Sequence, residues 1–537
     1  MTLLRVQNLS VSIGGTDILH DVDLSVTAGQ ITAITGESGS GKSMTALACM
    51  GLLPKGARAA GTIDLAGTDI LQTSERQLND IRGNDIGMVF QEPMTALNPV
   101  QTIGTQVAET IRIHTDAPRT EAKTRAADML RKVGLDVSPD RYPHEVSGGQ
   151  RQRVVIAMAI ALRPELLIAD EPTTALDVTT QARILDLLKG LVAEFGMGMI
   201  LITHDLAVVS DIADQIAVMQ HGRVVEAGAT DTLMRRMQHS YTRSLFAASS
   251  HVPAIRQPYA SHTQTIPHGA AAPKQGLAVE NVTKKYNLSR KTLLGPRPTF
   301  AALKNVSLTI SSGERVGLVG ESGCGKSTLT RAILGLEDVQ AGSITLDGAP
   351  VVSNRRADLT QRRKMQVVFQ DPYGSFNPRH TVARLVSEPF YLLEDKPKNP
   401  ADRIAQALTD VGLSPSDGDK YIHEFSGGQR QRIAIARALI TDPQLVIFDE
   451  AVSALDVSVR AQVLDLIADI SARRSLSYLF ISHDLSVVRA ITDRVLVMKG
   501  GQIVEDGATE DVYRNPSHPY TQTLLAAAPQ LPEFIEV

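Results

Sequence analysis

The chain has little cysteine and no long apolar run, and each shortage excludes a class of protein. Its 537 residues include only two cysteines, Cys49 and Cys324. With no C-x-x-C pair, a disulfide framework, a zinc ribbon and an all-cysteine iron–sulfur cluster are excluded. No run approaches the roughly 18 apolar residues of a membrane-spanning helix. The N-terminus, MTLLRVQNLSVSI, lacks the basic start and cleavage site of a signal peptide. We therefore expect the chain to reach a membrane only through partners.

An excess of positive charge is also missing. The net charge is −4, from 54 basic and 58 acidic residues, so no global positive field attracts nucleic acid, and we expect no nucleic-acid partner. The 43% hydrophobic and 21% charged residues are typical of a soluble globular protein. The length predicts two to four domains, because single hydrophobic cores stop growing at about 250–300 residues.

One phosphate-binding pattern occurs twice. GESGSGKS at Gly36–Ser43 and GESGCGKS at Gly320–Ser327 both fit G-x-x-x-x-G-K-[ST]. Glycines let backbone N–H groups turn toward an anion, and the following helix directs its positive end at the anion. A single match is weak evidence. Two matches, each after a short apolar run and before an apolar helical pattern, indicate a nucleotide-binding protein.

The whole chain is a tandem repeat of two domains. VFQEP, HEVSGGQRQR, LLIADE and ITHDL recur as VFQDP, HEFSGGQRQR, LVIFDE and ISHDL, each 279 positions later. We predict domains at 1–248 and 276–537, joined by a linker at 249–275 that is rich in Pro, Ala, Ser, Thr and His. Buried-strand patterns alternate with helical ones within each half, which predicts an α/β fold with a mostly parallel sheet.

Together these motifs resemble those of ATP-binding-cassette (ABC) ATPases, over almost the entire chain outside the linker. The resemblance implies two tandem P-loop ATPase domains, here called cassettes. Each would have a mostly parallel core sheet, an antiparallel β part and a helical subdomain. ATP and Mg²⁺ would be the cofactors. The implied nucleotide-binding residues are Gly36, Ser38, Gly39, Gly41, Lys42, Ser43, Met44, Ser147, Gly148, Gly149, Gln150, Tyr286, Gly320, Ser322, Gly323, Gly325, Lys326, Ser327, Thr328, Ser426, Gly427, Gly428 and Gln429.

The acidic pairs at strand ends carry the predicted chemistry. The first carboxylate of each pair would hold Mg²⁺, and the second would orient the attacking water as general base. A histidine follows each general base by 33 positions. The predicted magnesium residues are Ser43, Gln91, Asp170, Ser327, Gln370 and Asp449. The predicted catalytic residues are Glu171, Glu450, His204, His483, Gln91 and Gln370.

SGGQ at Ser147 and Ser426 begins a helix with free N–H groups, which makes a second anion site without a lysine. In ABC proteins two cassettes face each other head to tail. The resemblance then implies that Lys42 acts with Ser426, and Lys326 with Ser147. Asp177 and Asp456 would lie along that interface. Both composite sites keep their glutamate, so we predict two hydrolytic sites.

The two cassettes depart from each other at the adenine. Tyr286 occupies the position where the family usually stacks an aromatic ring on the base, whereas the alignment places Ile13 there in the first half. No aromatic residue occurs before Phe90. Stacking on aromatics is worth roughly 1–3 kcal/mol per base, so we predict weaker ATP binding at the Lys42 site. The alternative is that Ile13 packs adequately on adenine.

Two further patterns resemble the ATPase subunits of bacterial oligopeptide and dipeptide importers, here fused in one chain. They are the stretches from Gln91 and Gln370 to Asn-Pro, and the HxYT tails at His239 and His518. The implied partners are two membrane permeases and an extracytoplasmic substrate-binding protein, with the chain on the cytoplasmic face of the inner membrane. Permeases would dock at Glu92–Pro99 and Asp371–Pro378. Alternatives are import of nickel, glutathione or other small ligands, and a soluble tandem ABC ATPase acting on ribosomes.

Overall fold

The computed structural model describes residues 2–174, 176–253, 276–288, 297–353, 356–357, 359–371 and 374–531. These residues divide into two compact units, the first mainly before and the second mainly after Ser250. Residues 254–275, most of the predicted linker, lie outside the described residues. The boundaries at 248 and 276 therefore stay predictions.

The first unit alternates strands and helices as the sequence predicts. Its strands are β1 (Thr2–Ile13), β2 (Thr16–Thr27), β3 (Ile31–Thr35), β4 (Ala57–Leu65), β5 (Thr68–Asp69), β6 (Ile86–Val89), β7 (Leu166–Asp170), β8 (Gly198–Ile202), β9 (Gln215–Gln220) and β10 (Arg223–Ala229). Its helices are α1 (Lys42–Cys49), α2 (Glu75–Ile81), α3 (Pro93–Ala96), α4 (Ile103–His114), α5 (Arg119–Lys132), α6 (Gly148–Ala159), α7 (Val178–Phe195), α8 (Leu206–Ile212), α9 (Thr230–Arg236) and α10 (Ser240–Ser249).

A six-stranded sheet forms the centre of this unit, in the order β10-β9-β3-β8-β7-β6. All neighbours in it are parallel except the edge pair β9–β10. Every residue of β3, β7 and β8 is buried. Alternate residues face opposite sides of a strand, so Leu166 and Ile168 join one hydrophobic core and Leu167 and Ala169 the other. A core on each face explains the unbroken apolar runs in the sequence.

Two layers cover the central sheet. On one side lies a four-stranded antiparallel sheet in the order β2-β1-β4-β5, whose Leu4, Val6 and Ile63 belong to the same core as Leu166. On the other side, Val107 of α4 and Ile156 of α6 belong to the core that contains Leu167. The expected fold class, a mostly parallel sheet with an antiparallel β part and a helical subdomain, is confirmed.

The second unit repeats this plan. Its strands are β11 (Gly276–Asn287), β12 (Thr299–Ser311), β13 (Arg315–Val319), β14 (Ala341–Leu346), β15 (Ala349–Pro350), β16 (Val352–Ser353), β17 (Arg356–Ala357), β18 (Met365–Val368), β19 (Leu445–Asp449), β20 (Ser477–Ile481), β21 (Arg494–Lys499) and β22 (Gln502–Ala508). Its helices are α11 (Lys326–Ile333), α12 (Leu359–Lys364), α13 (Val382–Val386), α14 (Pro400–Asp410), α15 (Gly427–Leu439), α16 (Val457–Arg474), α17 (Leu485–Ile491), α18 (Thr509–Arg514) and α19 (Pro519–Ala526).

Its central sheet has the order β18-β19-β20-β13-β21-β22, which matches the first unit strand for strand. Again only the edge pair, β21–β22, is antiparallel. The phosphate loop follows β3, which lies between β8 and β9, in the first unit, and β13, which lies between β20 and β21, in the second. The acidic pair lies at the end of β7 or β19, two places away in the same sheet. Since ligands bind at the carboxyl ends of parallel strands, the order of the strands alone brings these motifs to one edge.

Candidate nucleotide-binding and hydrolysis site

The phosphate loops require glycine for steric as well as conformational reasons. Gly36 has φ 148° and Gly320 φ 151°, in the region that L side chains rarely adopt. A Cβ on Gly36 would lie 2.2 Å from the carbonyl oxygen of Met219, and one on Gly320 would lie 2.2 Å from that of Met498. The loops therefore hold their backbone against the neighbouring strands β9 and β21, as the pattern predicts.

Each loop lysine lies under its own loop. The ammonium of Lys42 donates to the carbonyl oxygens of Gly36 and Glu37, both at 2.8 Å. Lys326 makes the same bonds to Gly320 at 2.6 Å and to Glu321 at 3.0 Å. Burial lowers the pKa of Lys42, and the nearby Glu171 carboxylate opposes that shift. A buried lysine ammonium that bonds to carbonyl oxygens can exchange them for phosphate oxygens.

The predicted magnesium residues Ser43 and Asp170 lie together in the first unit. Burial raises the pKa of Asp170, and a hydrogen bond from the Ser43 side chain opposes this. Among the described residues, nothing donates to the buried Oδ1 of Asp170. A buried carboxylate oxygen without a donor, next to a hydroxyl, suits a hard cation such as Mg²⁺. In the second unit burial likewise raises the pKa of Asp449.

Glu171 follows β7 in a left-handed conformation, with φ 47°, and its carboxylate is the most densely bonded group of the site. It accepts from Nε2 of Gln91 at 2.7 Å and from the hydroxyl of Thr174 at 2.9 Å, and Nδ1 of His204 lies 3.1 Å away. Burial opposes ionisation, but the hydrogen bond and charge of His204, with the other donors, lower the pKa of Glu171 to about 2. At neutral pH this group is an ionised acceptor that can orient a water molecule.

The predicted set Gln91, Glu171 and His204 is therefore brought together by the structure. Thr174 is not among the residues predicted from the sequence. A threonine three residues after Glu171, in the turn that follows β7, could have indicated this contact, because such a side chain can turn back to the carboxylate.

The second unit places Glu450 alike, with φ 51°, but bonds it more sparsely. Nδ1 of His483 lies 3.7 Å from Oε2 of Glu450. The nearby His483 lowers the pKa of Glu450, while burial opposes the shift. Gln370 is exposed, and among the described contacts of Glu450 it takes no part.

The SGGQ motifs begin helices as the sequence predicts. Ser147 precedes α6, where its hydroxyl accepts from the Gln150 N–H at 3.3 Å and its own N–H donates to the Gln150 side chain at 2.9 Å. Ser426 and Gln429 make the same capping box before α15, at 3.4 and 3.0 Å. The N–H groups of Gly148 and Gly149, and of Gly427 and Gly428, lie in the first turns, where N–H groups have no intrahelical partner, and they can bind an anion. The pairing of these helices with the opposite phosphate loops stays a prediction.

The adenine-side positions occupy matching places in the two units. Asn8 in β1 and Asn281 in β11 are both left-handed, which fixes a common register that pairs Ile13 with Tyr286, as the alignment predicts. The Tyr286 hydroxyl contacts the carboxylate of Glu337, and the ammonium of Lys284 lies 5.2 Å from the ring centre. Whether either residue contacts adenine stays a prediction.

The surroundings of these two residues differ in polarity. In the second unit the Thr328 hydroxyl also bonds Tyr286. Counted from the phosphate-loop lysines, Thr328 and Glu337 correspond to Met44 and Leu53, which are partly buried against the apolar core of the first unit. The two positions that contact Tyr286 in the second unit are therefore polar there, and their counterparts in the first unit are apolar.

The predicted permease-docking segments lie next to the helical subdomains. In the first unit Glu92–Pro99 contains the short helix α3, and the Gln106 side chain bonds both the N–H and the carbonyl of Asn98. In the second unit the buried Phe376 lies under the Arg437 guanidinium, 4.5 Å from the ring centre. Residues 372 and 373 of this segment lie outside the described residues.

Two repeated folds, each with a phosphate loop and an acidic pair at the end of a central strand, define a P-loop ATPase with two cassettes. The ABC transporter family model matches residues 19–174 and 303–453, and the model for the C-terminal region of oligopeptide/dipeptide transporters matches 504–534. The chain belongs to the ABC transporter family and is an ATPase that drives import.

Curated relatives extend over nearly the full length. The chain is 44% identical to the glutathione import ATP-binding protein GsiA of Shigella dysenteriae, over 98% of this chain and 89% of that protein. It is also 44% identical to the peptidoglycan transport ATP-binding protein YejF of Agrobacterium fabrum, over 98% and 96%. None of these findings supports the ribosomal alternative. In the part of the chain that the structure describes, no helix has the length and apolar character to span a membrane.

Proposed function

We propose that this chain hydrolyses ATP to power the import of peptides, or of similar small ligands such as glutathione, across the bacterial inner membrane. The single observation that carries the substrate class is the match of residues 504–534 to the C-terminal region of oligopeptide/dipeptide transporters. The names of the relatives, which include glutathione and peptidoglycan transport, agree with it.

The partners in this proposal are two permeases and an extracytoplasmic substrate-binding protein. The chain lies at the cytoplasmic face of the membrane, which it contacts only through the permeases at Glu92–Pro99 and Asp371–Pro378. Nucleotide binding changes the equilibrium between permease states because this chain binds ATP with a different affinity in each of those states. The chain need not contact the imported ligand.

Within the proposed sites, Lys42 and Lys326 bind phosphates, and Ser43, Asp170, Ser327 and Asp449 hold Mg²⁺. When bound, Mg²⁺ would neutralise developing charge on the phosphate oxygens. Glu171 and Glu450 orient the attacking water. Ser426 completes the Lys42 site, and Ser147 completes the Lys326 site. The capped helices described above support this, because each offers first-turn N–H groups without an intrahelical partner, and the SGGQ motif contains no lysine.

Uptake in a deletion strain tests the proposal. Cells that lack the gene should lose uptake of labelled peptides or glutathione and resist toxic peptides, and the wild-type chain should restore both. The chain with Glu171→Gln and Glu450→Gln should restore neither, although it should still reach the membrane with its permeases. Normal uptake of every peptide and of glutathione in the deletion strain would refute the substrate class. Sedimentation of the chain with ribosomes would favour the ribosomal alternative.

A further inference from the structure

The last helix of each unit contacts the phosphate loop of the same unit through a tyrosine. The N–H of Glu37 donates to the hydroxyl oxygen of Tyr241, in α10, at 3.0 Å. The N–H of Glu321 donates to the hydroxyl oxygen of Tyr520, in α19, at 2.9 Å. These tyrosines are the third residue of each HxYT motif. In sequence they lie about 200 positions from the loops that they contact.

The peptide bond that each tyrosine contacts also holds the loop lysine. The N–H of Glu37 and the carbonyl of Gly36 belong to one planar trans peptide, so they point in opposite directions. The N–H faces Tyr241, and the carbonyl accepts from Lys42 at 2.8 Å. A rotation of this peptide would therefore break both bonds together. The tyrosine hydroxyl therefore fixes the orientation of the peptide plane, and the carbonyl on the opposite edge of that plane accepts from the lysine.

The second unit repeats the arrangement in every part. Glu321 and Gly320 share a peptide whose N–H faces Tyr520 and whose carbonyl accepts from Lys326 at 2.6 Å. Tyr520 is only 5% exposed. Because the hydroxyl is buried here, little water is available to replace it as a partner for the loop N–H.

The tyrosines are themselves held in place by a carboxylate and a histidine. Glu226 accepts from the N–H groups of Gln238 and His239, and Nδ1 of His239 then accepts from the N–H of Tyr241 at 3.2 Å. Glu505 accepts in the same way from the N–H groups that precede α19, and Nδ1 of His518 caps the Tyr520 N–H at 3.1 Å. The His and Tyr of HxYT thus act together. The histidine begins the helix, and the tyrosine reaches the loop.

We infer that Tyr241 and Tyr520 are positioning residues for ATP binding. Each holds the first peptide of its phosphate loop in the orientation that presents the loop lysine to the nucleotide. The HxYT motif of this importer family then contributes to the nucleotide site. This inference rests on the proposed role of Lys42 and Lys326 in binding phosphate.

The test replaces both tyrosines with phenylalanine in the full chain, which keeps the rings and removes only the hydroxyls. The probe is ATP with Mg²⁺. We expect the Kd and the KM for ATP to rise about three- to tenfold, the range of one net hydrogen bond. The kcat at saturating ATP should stay within about twofold. The matched control is Tyr513→Phe, which removes the bond from the half-buried Tyr513 hydroxyl to the carbonyl of Leu485 and should leave both constants unchanged.

The possible outcomes distinguish the role of the phosphate loops from the role of the tyrosines. A variant with Lys42→Ala and Lys326→Ala should lose ATP binding. If it binds ATP normally, the assignment of the phosphate loops fails, and this inference falls with it. If the lysine variant loses binding but the two phenylalanines leave Kd and KM within twofold of wild type, the tyrosine inference alone is refuted. A fall in kcat with unchanged KM would also refute it.

Discussion

The two units place the glutamate that follows the central strand in surroundings that bond its carboxylate differently. The hydroxyl of Thr174 donates to the Glu171 carboxylate, whereas Ser453, three positions after Glu450, donates to the backbone carbonyl of Glu450. His483 also lies farther from its glutamate than His204 does. The motifs therefore fix the backbone position of the glutamate. Its hydrogen bonding depends on which neighbours turn toward it.

A second difference lies where the helical subdomain meets the core, because corresponding positions there carry different charges in the two units. Three positions of the first unit have counterparts in the second. Lys132 at the end of α5 corresponds to Asp410 at the end of α14, and Phe195 at the end of α7 corresponds to Arg474 at the end of α16. The left-handed Arg163 after α6 corresponds to the left-handed Asp442 after α15. Two cations lie over an aromatic ring in one unit, and two carboxylates pair with a guanidinium in the other. One junction is thus built from two different interactions.

The largest expected effect tests whether both glutamates are catalytic. General-base contributions are typically 10²–10⁴-fold, so the chain with Glu171→Gln and Glu450→Gln should hydrolyse ATP at least about 100-fold more slowly. Each single change should remove the turnover of its own site. The exposed Glu121→Gln serves as a control with normal activity. A single variant with an unchanged steady-state ATPase rate would show that its site does not hydrolyse ATP.

The next prediction concerns the adenine sides. Binding to one site at a time can be measured in Lys42→Ala and Lys326→Ala backgrounds. We expect the second site to bind ATP more tightly by roughly 1–3 kcal/mol. Tyr286→Ile should remove most of that advantage, whereas Tyr286→Phe should keep it, because the ring and not the hydroxyl stacks on a base. Equal affinities in the two backgrounds would contradict the prediction and favour adequate packing on Ile13.

The charge difference at this junction gives a prediction on stability. Arg474→Phe leaves Asp410, whose side chain is 13% exposed, without its cation, and should destabilise the second unit by about 1–2 kcal/mol in chemical denaturation. Phe195→Arg adds a cation between Lys132 and Arg163 and should cost the first unit about 1 kcal/mol.

Two further variants check that charge pairing is the cause of this loss. Adding Asp410→Lys and Asp442→Arg to Arg474→Phe rebuilds the junction of the first unit and should recover most of the stability. Arg473→Ala, which removes an exposed pair with Asp469, should change stability by less than about 0.5 kcal/mol. No recovery in the triple variant would mean that packing, not charge, determines the loss.

The sequence predicts the parts of the site that depend on local pattern and strand order. The strand Leu166–Asp170 matches its apolar run, and SGGQ begins its helix with a serine cap. Strand β6 ends at Val89, and the next residue, Phe90, is 43% exposed. The contact of Tyr241 with the phosphate loop could not be predicted. It joins elements about 200 positions apart, and no local periodicity records such a pairing.

The smallest expected effect tests the difference in hydrogen bonding between the two glutamates. Thr174→Ala removes a donor to the ionised Glu171 carboxylate and should cost about 0.5–1 kcal/mol at pH 7. The pKa of Glu171 is lowered from 4.5 to about 2 in the folded state, so the folded carboxylate stays ionised, and keeps this bond to a charged acceptor, until the pH falls toward 2. Protonation of Glu171 in the unfolded state is the same with and without Thr174, so the cost of Thr174→Ala should be constant from pH 7 to about 4 and shrink only as the pH approaches 2. Ser453→Ala removes a bond to a backbone carbonyl, so its cost should not depend on pH. Unfolding free energies of both variants across this range make the comparison. A cost of Thr174→Ala that does not change with pH would show that the hydroxyl does not stabilise the charged carboxylate.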